Sequence, residues 1–331
     1  MKDEFVFIRS ISPKMLSHDD VIQGIGDDAA LLRCNPQYDS VVTADMFVEG
    51  VHFNTTTLTS FEIGYKALAA NLSDLAAMGA IPKFYLVSIA IPKVSWTISD
   101  VKSIYAGMNA LARTFQVDLI GGDTVSTSDA LVISITAIGN VEKGRHLLRS
   151  HAEEGDIVFV TGSLGASAAG LTLLLEKEKT SSYGEQQRAL IQAHTMPKPQ
   201  IQAGRIFAQL NCRVALNDIS DGIASEAYEI AEASGKKLIL DYENIPKHPA
   251  LQLFSASEIE QFVLYGGEDY QLIGCIPEQD WLHVKTKFTD ANMSITKIGY
   301  VEDGDASVHM MKAGRMEKLH KRGYNHFNEH E

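Results

Sequence analysis

The chain has 331 residues and a mass of 36.2 kDa, too long for one ordinary core and too short for three, which sets an expectation of two domains. At 45% hydrophobic and 21% charged residues, its composition is that of a soluble globular protein and excludes a fibre or a disordered chain. Lys and Arg number 29 against 42 Asp and Glu, a net charge of −13, which argues against a protein held on nucleic acid by its bulk field. A polyanionic substrate would need metal ions or local arginines to bind. Cys34, Cys212 and Cys275 are dispersed and odd in number, which excludes a disulfide framework or a Cys-x-x-Cys site. No apolar run approaches the roughly 18 residues of a membrane span, and Met1–Ser10 lacks a signal-peptide pattern. A cytoplasmic protein without membrane or nucleic-acid partners is expected, in which the sequons at Asn54, Asn71 and Asn292 are chance matches.

Taken in chain order, Ser40–Asp45 reads as a β-branched strand ending in an acid. Thr59 or Ser60 caps a helix through about Met78, with Ile63, Ala67, Leu68, Leu72, Leu75 and Ala76 on one broad face. Phe84–Ile91 is a strand, and a second helix runs from near Thr97 to about Phe115, with Asp100 in its first turn. Val117–Ile120 is a brief strand ending at Gly121-Gly122-Asp123-Thr124, and Ala130–Val141 a longer one. The polar stretch Glu142–Asp156 marks a boundary, giving domains 1–147 and 148–331. Beyond it, Ile157–Thr161 is a strand and Leu164–Glu176 a helix. Two more helices flank Met196-Pro197-Lys198-Pro199, the second with Pro199 near its first turn. Val214–Leu216, Lys237–Leu240, Tyr270–Cys275 and Ser294–Tyr300 are strands with helical stretches between them. The alternation implies α/β layers in both halves.

The placement of the acids carries the chemistry. Asp27-Asp28 follows Gly24-Ile25-Gly26, Asp45 closes a strand, and Asp74 lies three residues after Asn71 on one helix face. Asp123 follows two glycines, Asp218 and Asp221 bracket Ser220, and Glu268-Asp269 follows Gly266-Gly267. Element ends can gather carboxylates without burying them unpaired. Magnesium takes one or two such carboxylates plus water and phosphate, so together these positions describe a multi-metal, phosphate-handling cleft.

Each feature alone has a plainer reading. Gly-Asp pairs are ordinary turn chemistry, Ser220 and Asp221 could cap the next helix, and Asn71 with Asp74 could be a solvated face. His52 could be a satisfied histidine, Arg149 a surface charge and Tyr105 a core residue. No P-loop or nucleophile elbow exists. The Gly162-Ser163-Leu164-Gly165 turn could offer amides to phosphate, but reads better as a tight strand-to-helix turn. His320, His326 and His330 lack metal spacing and read as a mobile tail.

The combined pattern resembles the thiamine-monophosphate kinases, within a superfamily that includes aminoimidazole ribonucleotide synthetase and selenophosphate synthetase. The resemblance rests on Gly24–Ala30 (GIGDDAA), Val42–Phe53 (VTADMFVEGVHF), Tyr65–Ala80 (YKALAANLSDLAAMGA), Ile120–Thr124 (IGGDT), Asp218–Gly222 (DISDG), Gly266–Tyr270 (GGEDY) and Gly323–Phe327 (GYNHF), in order along the chain. It implies a two-domain α/β synthetase-like fold, with the N-terminal domain pairing across a homodimer. It also implies that Asp28, Thr43, Ala44 (through its carbonyl), Asp45, Asp74, Asp123, Asp218 and Asp221 hold several magnesium ions. Tyr105, Gly122, Asp123, Arg149 and Ser220 would contact ATP, and His52, Glu268 and Tyr324 thiamine monophosphate. Asp74, Asp123 and Arg149 would carry catalysis. Ala44 stands where threonine is common, and His151 where glycine often follows Arg149-Ser150, which bears on the aim of the arginine.

The implied reaction passes a phosphoryl group from ATP to thiamine monophosphate, in line, giving thiamine diphosphate. The other readings are a metal-dependent binding protein without turnover, and another ATP-dependent synthetase acting on a different acceptor. ADP release with a panel of small acceptors separates them.

Overall fold

The computed structural model describes residues 11–13, 15–23, 31–176 and 182–321. The chain divides after Gly144 into two compact units, with Ala76–Gly79 grouped with the second.

In the first unit a short ladder pairs β1 (Val21–Gln23) with β2 (Leu31–Leu32). A four-stranded sheet follows, built from β3 (Tyr38–Val48), β4 (Ile81–Pro92), β5 (Asp118–Thr127) and β6 (Val132–Glu142), in the order β3-β6-β4-β5. Only β4 and β5 run parallel, joined by helix α2 (Ile98–Phe115); β3–β6 and β4–β6 are antiparallel. Helix α1 (Ser60–Ala77) buries Ile63, Ala67, Leu68, Leu72 and Leu75, the stripe that a 3.6-residue period predicts. Strand β6 alternates, with Ile133, Ile135 and Ala137 buried and their neighbours part-exposed.

Helix α2 opens on a capping box: Asp100 N donates to Thr97 Oγ1 at 3.2 Å, and Thr97 N to the Asp100 carboxylate at 3.0 Å. Strand β5 is longer than the sequence suggests. Gly121–Thr124 continue the strand because β4 supplies parallel partners for each of them, Leu86 through Ile89.

In the second unit a seven-stranded sheet has the order β13-β12-β9-β11-β7-β10-β8. Its strands are β7 (Asp156–Thr161), β8 (Ala215–Asp218), β9 (Lys237–Asp241), β10 (Leu272–Pro277), β11 (Ile295–Glu302), β12 (Ser307–Lys312) and β13 (Arg315–Lys318). One pair, β9–β12, is parallel. The helices are α3 (Ala166–Glu176), α4 (Glu185–Thr195), α5 (Ile201–Gln209), α6 (Ile223–Ser234), α7 (Ala256–Tyr265) and α8 (Trp281–Asp290). Val158, Val160, Ile273, Leu238 and Ile298 form a core with Ile223, Ala227 and Ile230 of α6.

Three details differ from expectation. Strands β12 and β13 have no clear alternation in sequence, and β13 is exposed throughout. Pro199 precedes the Gln200 N-cap of α5 and so lies outside the helix. Helix α6 is capped by Gly222, without a side-chain cap bond from Ser220 or Asp221.

Helices α1 and α2 touch through two glycines. A Cβ on Gly64 would lie 1.8 Å from the Ile104 carbonyl oxygen, and one on Gly107 1.9 Å from that of Phe61. Alanine would gain about 1 kcal/mol of helix propensity at either position. Forcing two backbones apart costs about 1–3 kcal/mol or more, so the clash should win. Gly107→Ala is therefore expected to lower the thermal midpoint; calorimetry that finds it unchanged or raised would overturn this packing account.

Candidate functional site

In the first unit, the two-residue period of β3 sorts its side chains. Val42 and Met46 are 62% and 58% exposed and share a face with Ala44, while Thr43 and Asp45 point the other way. Thr43 Oγ1 donates to Asp74 Oδ2 on α1. The Asp45 and Asp74 carboxyls are also hydrogen-bonded to each other. Burial holds Asp45 above the ordinary carboxylate range, and its bond with Asp74 offsets part of that rise. Two carboxyls in contact must share a proton or be bridged by a cation.

One turn before Asp74, Asn71 is 1% exposed. Its Nδ2 donates to the Ala67 carbonyl at 3.1 Å, while Oδ1 meets no donor among the described residues. An orphaned buried acceptor costs about 1–3 kcal/mol, so the pair Asn71 and Asp74 is no solvated helix face. Among the described residues no three His, Cys, Asp or Glu side chains form a ready-made metal cage. The offer is instead two carboxyls, a hydroxyl and an amide oxygen, hard donors that fit magnesium.

On β5, Asp123 is exposed and its Oδ1 accepts from Thr124 N at 2.8 Å. Gly122 has φ +148°, and a Cβ there would lie 1.9 Å from the Val87 carbonyl oxygen, so only glycine allows this approach of β4. Tyr105 on α2 is 7% exposed, with its hydroxyl hydrogen-bonded to Thr124 and its pKa raised by burial. It is thus a core residue that reaches the neighbour of Asp123.

His52 Nδ1 accepts from Val48 N at 3.1 Å, which puts the proton of the neutral ring on Nε2. Its ring lies against Phe47, which in turn stacks on Phe53. Glu49 latches this loop, accepting from Trp96 Nε1 and Leu131 N, both at 3.0 Å.

In the second unit, Arg149 opens a single 3₁₀ turn, Arg149–His151. Its Nε donates to Asn217 Oδ1 at 2.9 Å, and its guanidinium pairs with Glu229 at 2.9 Å. It is therefore no loose surface charge, although its side chain is 51% exposed. The His151 carbonyl accepts from Arg213, which steadies the turn.

Asp218, 3% exposed, ends β8. Just beyond it, Glu226 accepts from Ser220 Oγ at 3.3 Å and Asp221 N at 3.1 Å. Burial first, then the charges of Asp218 and Glu229, push Glu226 up to about 9. The sequence does not single out Asn217, Glu226 or Glu229: an amide within a strand and acids along a helix are commonplace.

Glu268 and Tyr270 are non-glycine residues at φ +66° and +46°, a strained pair in one short loop. Glu268 N and Tyr270 N donate to the carbonyls of Ser220 and Ile219, at 2.7 and 2.9 Å, which ties this loop to the Asp218–Gly222 turn. The Glu268 carboxylate lies 3.5 Å from Nδ1 of the buried His194, which also contacts Ser167 Oγ at 3.1 Å. Asp269 accepts from Gly165 N at 2.6 Å and Ser167 N at 3.1 Å. The amides of Gly165 and Ser167 are thus taken by a carboxyl of the chain itself, while Gly162 N and Leu164 N donate to the carbonyls of Ser294 and Pro246. Gly24–Ala30, with Asp28, and Tyr324 lie outside the described residues.

Residues 26–141 match the family model for the AIR synthase related protein N-terminal domain, and residues 153–312 the model for the C-terminal domain. A thiamine-monophosphate kinase of Bacillus subtilis (strain 168) is 46% identical, over 98% of this chain and 99% of that protein. The crystal structure of thiamine-monophosphate kinase from Stenotrophomonas maltophilia K279a superposes with a TM-score of 0.82 at 32% identity, covering 92% of this chain and 94% of that one. A structure of AaThiL complexed with AMPPCP and TMP gives 0.78 at 30% identity, over 98% and 95%.

Burial raises the Asp269 carboxyl from 3.8 to about 7, against the pull of the amides it accepts. The folded state therefore holds that proton more tightly than the unfolded state does. Its stabilisation is complete below pH about 4 and is lost as pH rises through about 7. Thermal midpoints of the wild type should fall across that window relative to Asp269→Asn; parallel profiles for the two proteins would overturn this.

Proposed function

As the chain belongs to the thiamine-monophosphate kinase family of AIR synthase related proteins, we propose that it transfers the γ-phosphoryl group of ATP to thiamine monophosphate, giving ADP and thiamine diphosphate. The observation that carries this reading is the near full-length match to AaThiL, a relative solved with AMPPCP and TMP. In this reading AMPPCP stands in for ATP, its bridging carbon replacing the β–γ oxygen.

A phosphate monoester has a second pKa near 6, so at neutral pH the acceptor is already mostly a dianion and needs no obligatory base. The obstacle is the meeting of two polyanions at a protein of charge −13. Magnesium held by Thr43, the Ala44 carbonyl, Asp45, Asp74 and Asp123, and in the second unit by Asp218 and Asp221, would neutralise phosphate charge; Asp28 completes the proposed set. The contact between Asp45 and Asp74 and the orphaned Asn71 Oδ1 support this assignment for the first unit.

On the donor side, Arg149, Ser220, Gly122 and Tyr105 are proposed to bind and orient ATP, with Arg149 supplying positive charge against the negative charge on the oxygens of the transferring group. On the acceptor side, His52 offers its Nε2 proton to a phosphate oxygen, and Glu268 its charge to the thiazolium. Tyr324 would give that cation an aromatic face. We propose that the enzyme serves thiamine diphosphate synthesis in the cytoplasm. Among the described residues no helix is long and apolar enough to cross a membrane. The exposed apolar side of the first unit's sheet, with Val42, Met46 and Val125, supports a homodimer formed through it.

Asp74→Asn and Asp123→Asn are each expected to reduce turnover of thiamine monophosphate by at least about a hundredfold, with circular dichroism unchanged. Wild-type rates from either variant at ordinary magnesium would eliminate the carboxylate mechanism. Light scattering should give twice the chain mass, and Met46→Lys should shift it toward one. An active wild-type monomer at high micromolar concentration would exclude the dimer.

A further inference from the structure

Asn217 and Glu226 lie behind Arg149 and the Ser220–Asp221 turn, at 1% and 2% exposure. Nothing assigned above to ATP, acceptor or metal includes either. A carboxamide has one accepting and one donating end, and here Arg149 dictates which faces which way. Arg149 Nε donates to Asn217 Oδ1 at 2.9 Å, so Nδ2 must face the opposite side. There Nδ2 donates to Glu226 Oε2, with a second, 3.2 Å contact to Glu229. The other Glu226 oxygen accepts from Asp221 N at 3.1 Å and Ser220 Oγ at 3.3 Å. One buried carboxyl therefore joins the arginine, through the asparagine, to the turn that carries Ser220 and Asp221.

We propose that Glu226 is a positioning residue of the phosphoryl-donor site, setting the direction of Arg149 through Asn217 and fixing the Ser220–Asp221 turn. The inference rests on the reading of Arg149 and Ser220 as nucleotide contacts. Both Glu226 oxygens accept in the relay, one from Asn217 Nδ2 and one from Asp221 N, a capacity the carboxyl keeps on each oxygen even when it carries its proton. Glutamine has the same shape but cannot satisfy it: with its oxygen toward Asn217 its NH₂ meets the Asp221 amide, and reversed it meets Asn217 Nδ2. Either way, a donor faces a donor. The polarity can be restored by moving the acid. With aspartate at position 217, both of its oxygens accept, one from Arg149 and one from the NH₂ of glutamine at position 226, whose oxygen remains for Asp221 N.

The test compares wild type, Glu226→Gln, Arg149→Ala, the Arg149→Ala/Glu226→Gln pair and the Asn217→Asp/Glu226→Gln pair. Each is assayed for affinity to AMPPCP with magnesium by calorimetry, for both Michaelis constants and kcat, and for thermal midpoint. Glu226→Gln should weaken AMPPCP binding or lower kcat/KM for ATP by about ten- to a hundredfold. The Michaelis constant for thiamine monophosphate should change less than about threefold. In the Arg149→Ala background the same substitution should cost less than about threefold, because its route is already cut. The Asn217→Asp/Glu226→Gln pair should recover part of the loss.

An unchanged nucleotide response in Glu226→Gln, full additivity with Arg149→Ala, or equal loss for both substrates with a collapsed midpoint would overturn the proposal. If the wild type binds AMPPCP but does not phosphorylate thiamine monophosphate, the proposed reaction fails, and the positioning role still stands or falls on the AMPPCP affinities. A wild type that binds no nucleotide overturns both.

Discussion

Carboxylates brought close together repel unless a proton, a hydrogen-bond donor or a cation stands between them, and this chain meets that constraint differently at each place where its acids gather. Asp45 and Asp74 share a hydrogen bond, with Thr43 adding a donor. Glu226 is ringed by an amide, a hydroxyl and a carboxamide, and still is pushed to about 9 by the acids beside it. Asp269 is met by backbone amides at the start of α3. The first arrangement leaves negative charge that a divalent cation can take up; the second answers it with a retained proton and three donors; the third closes on itself. The same residue type is thus poised for ligand in one setting and structural in another, and the difference lies in what faces it.

Much of the fold was legible because its signals are local. The apolar stripe of α1 from Ile63 to Leu75, the Thr97–Asp100 capping box and the alternation of β6 are each written within a few residues. What the sequence hid depends on partners distant in the chain. Gly121–Thr124 reads as a turn, yet β4 holds it extended. The plainer reading of Ser220 and Asp221, as helix caps, gives way to a cap at Gly222, with both residues bonded to Glu226.

The candidate site shows the same division. The acids and glycines are visible as motifs, so Asp45, Asp74, Asp123, Asp218 and Asp221 could be named from the sequence alone. The residues that aim them could not. Asn217 sits inside a strand, Glu226 in a helix, Glu49 in a loop and His194 at the end of α4, each in an unremarkable sequence setting. Their roles come from hydrogen-bond direction, which exists only once the chain has folded. Tyr105 lies between these cases: its helical spacing predicts burial, and only the structure shows its hydroxyl reaching Thr124.

The strand order of the larger sheet also sets a sequence of events at the ribosome. Among the described residues, strands β3 to β6 pair only with one another, so the first sheet can close once Glu142 has emerged. Strand β7, fully buried and apolar from Ile157 to Val160, has both its neighbours, β10 and β11, beyond residue 271. More than a hundred residues must be synthesised before either arrives, and such long-range pairing is slow to form. During that interval β7 carries two unsatisfied edges, the feature that nascent chains most need shielded from one another. Chaperone demand during translation should therefore fall on the second half of the chain, while the first is already folded.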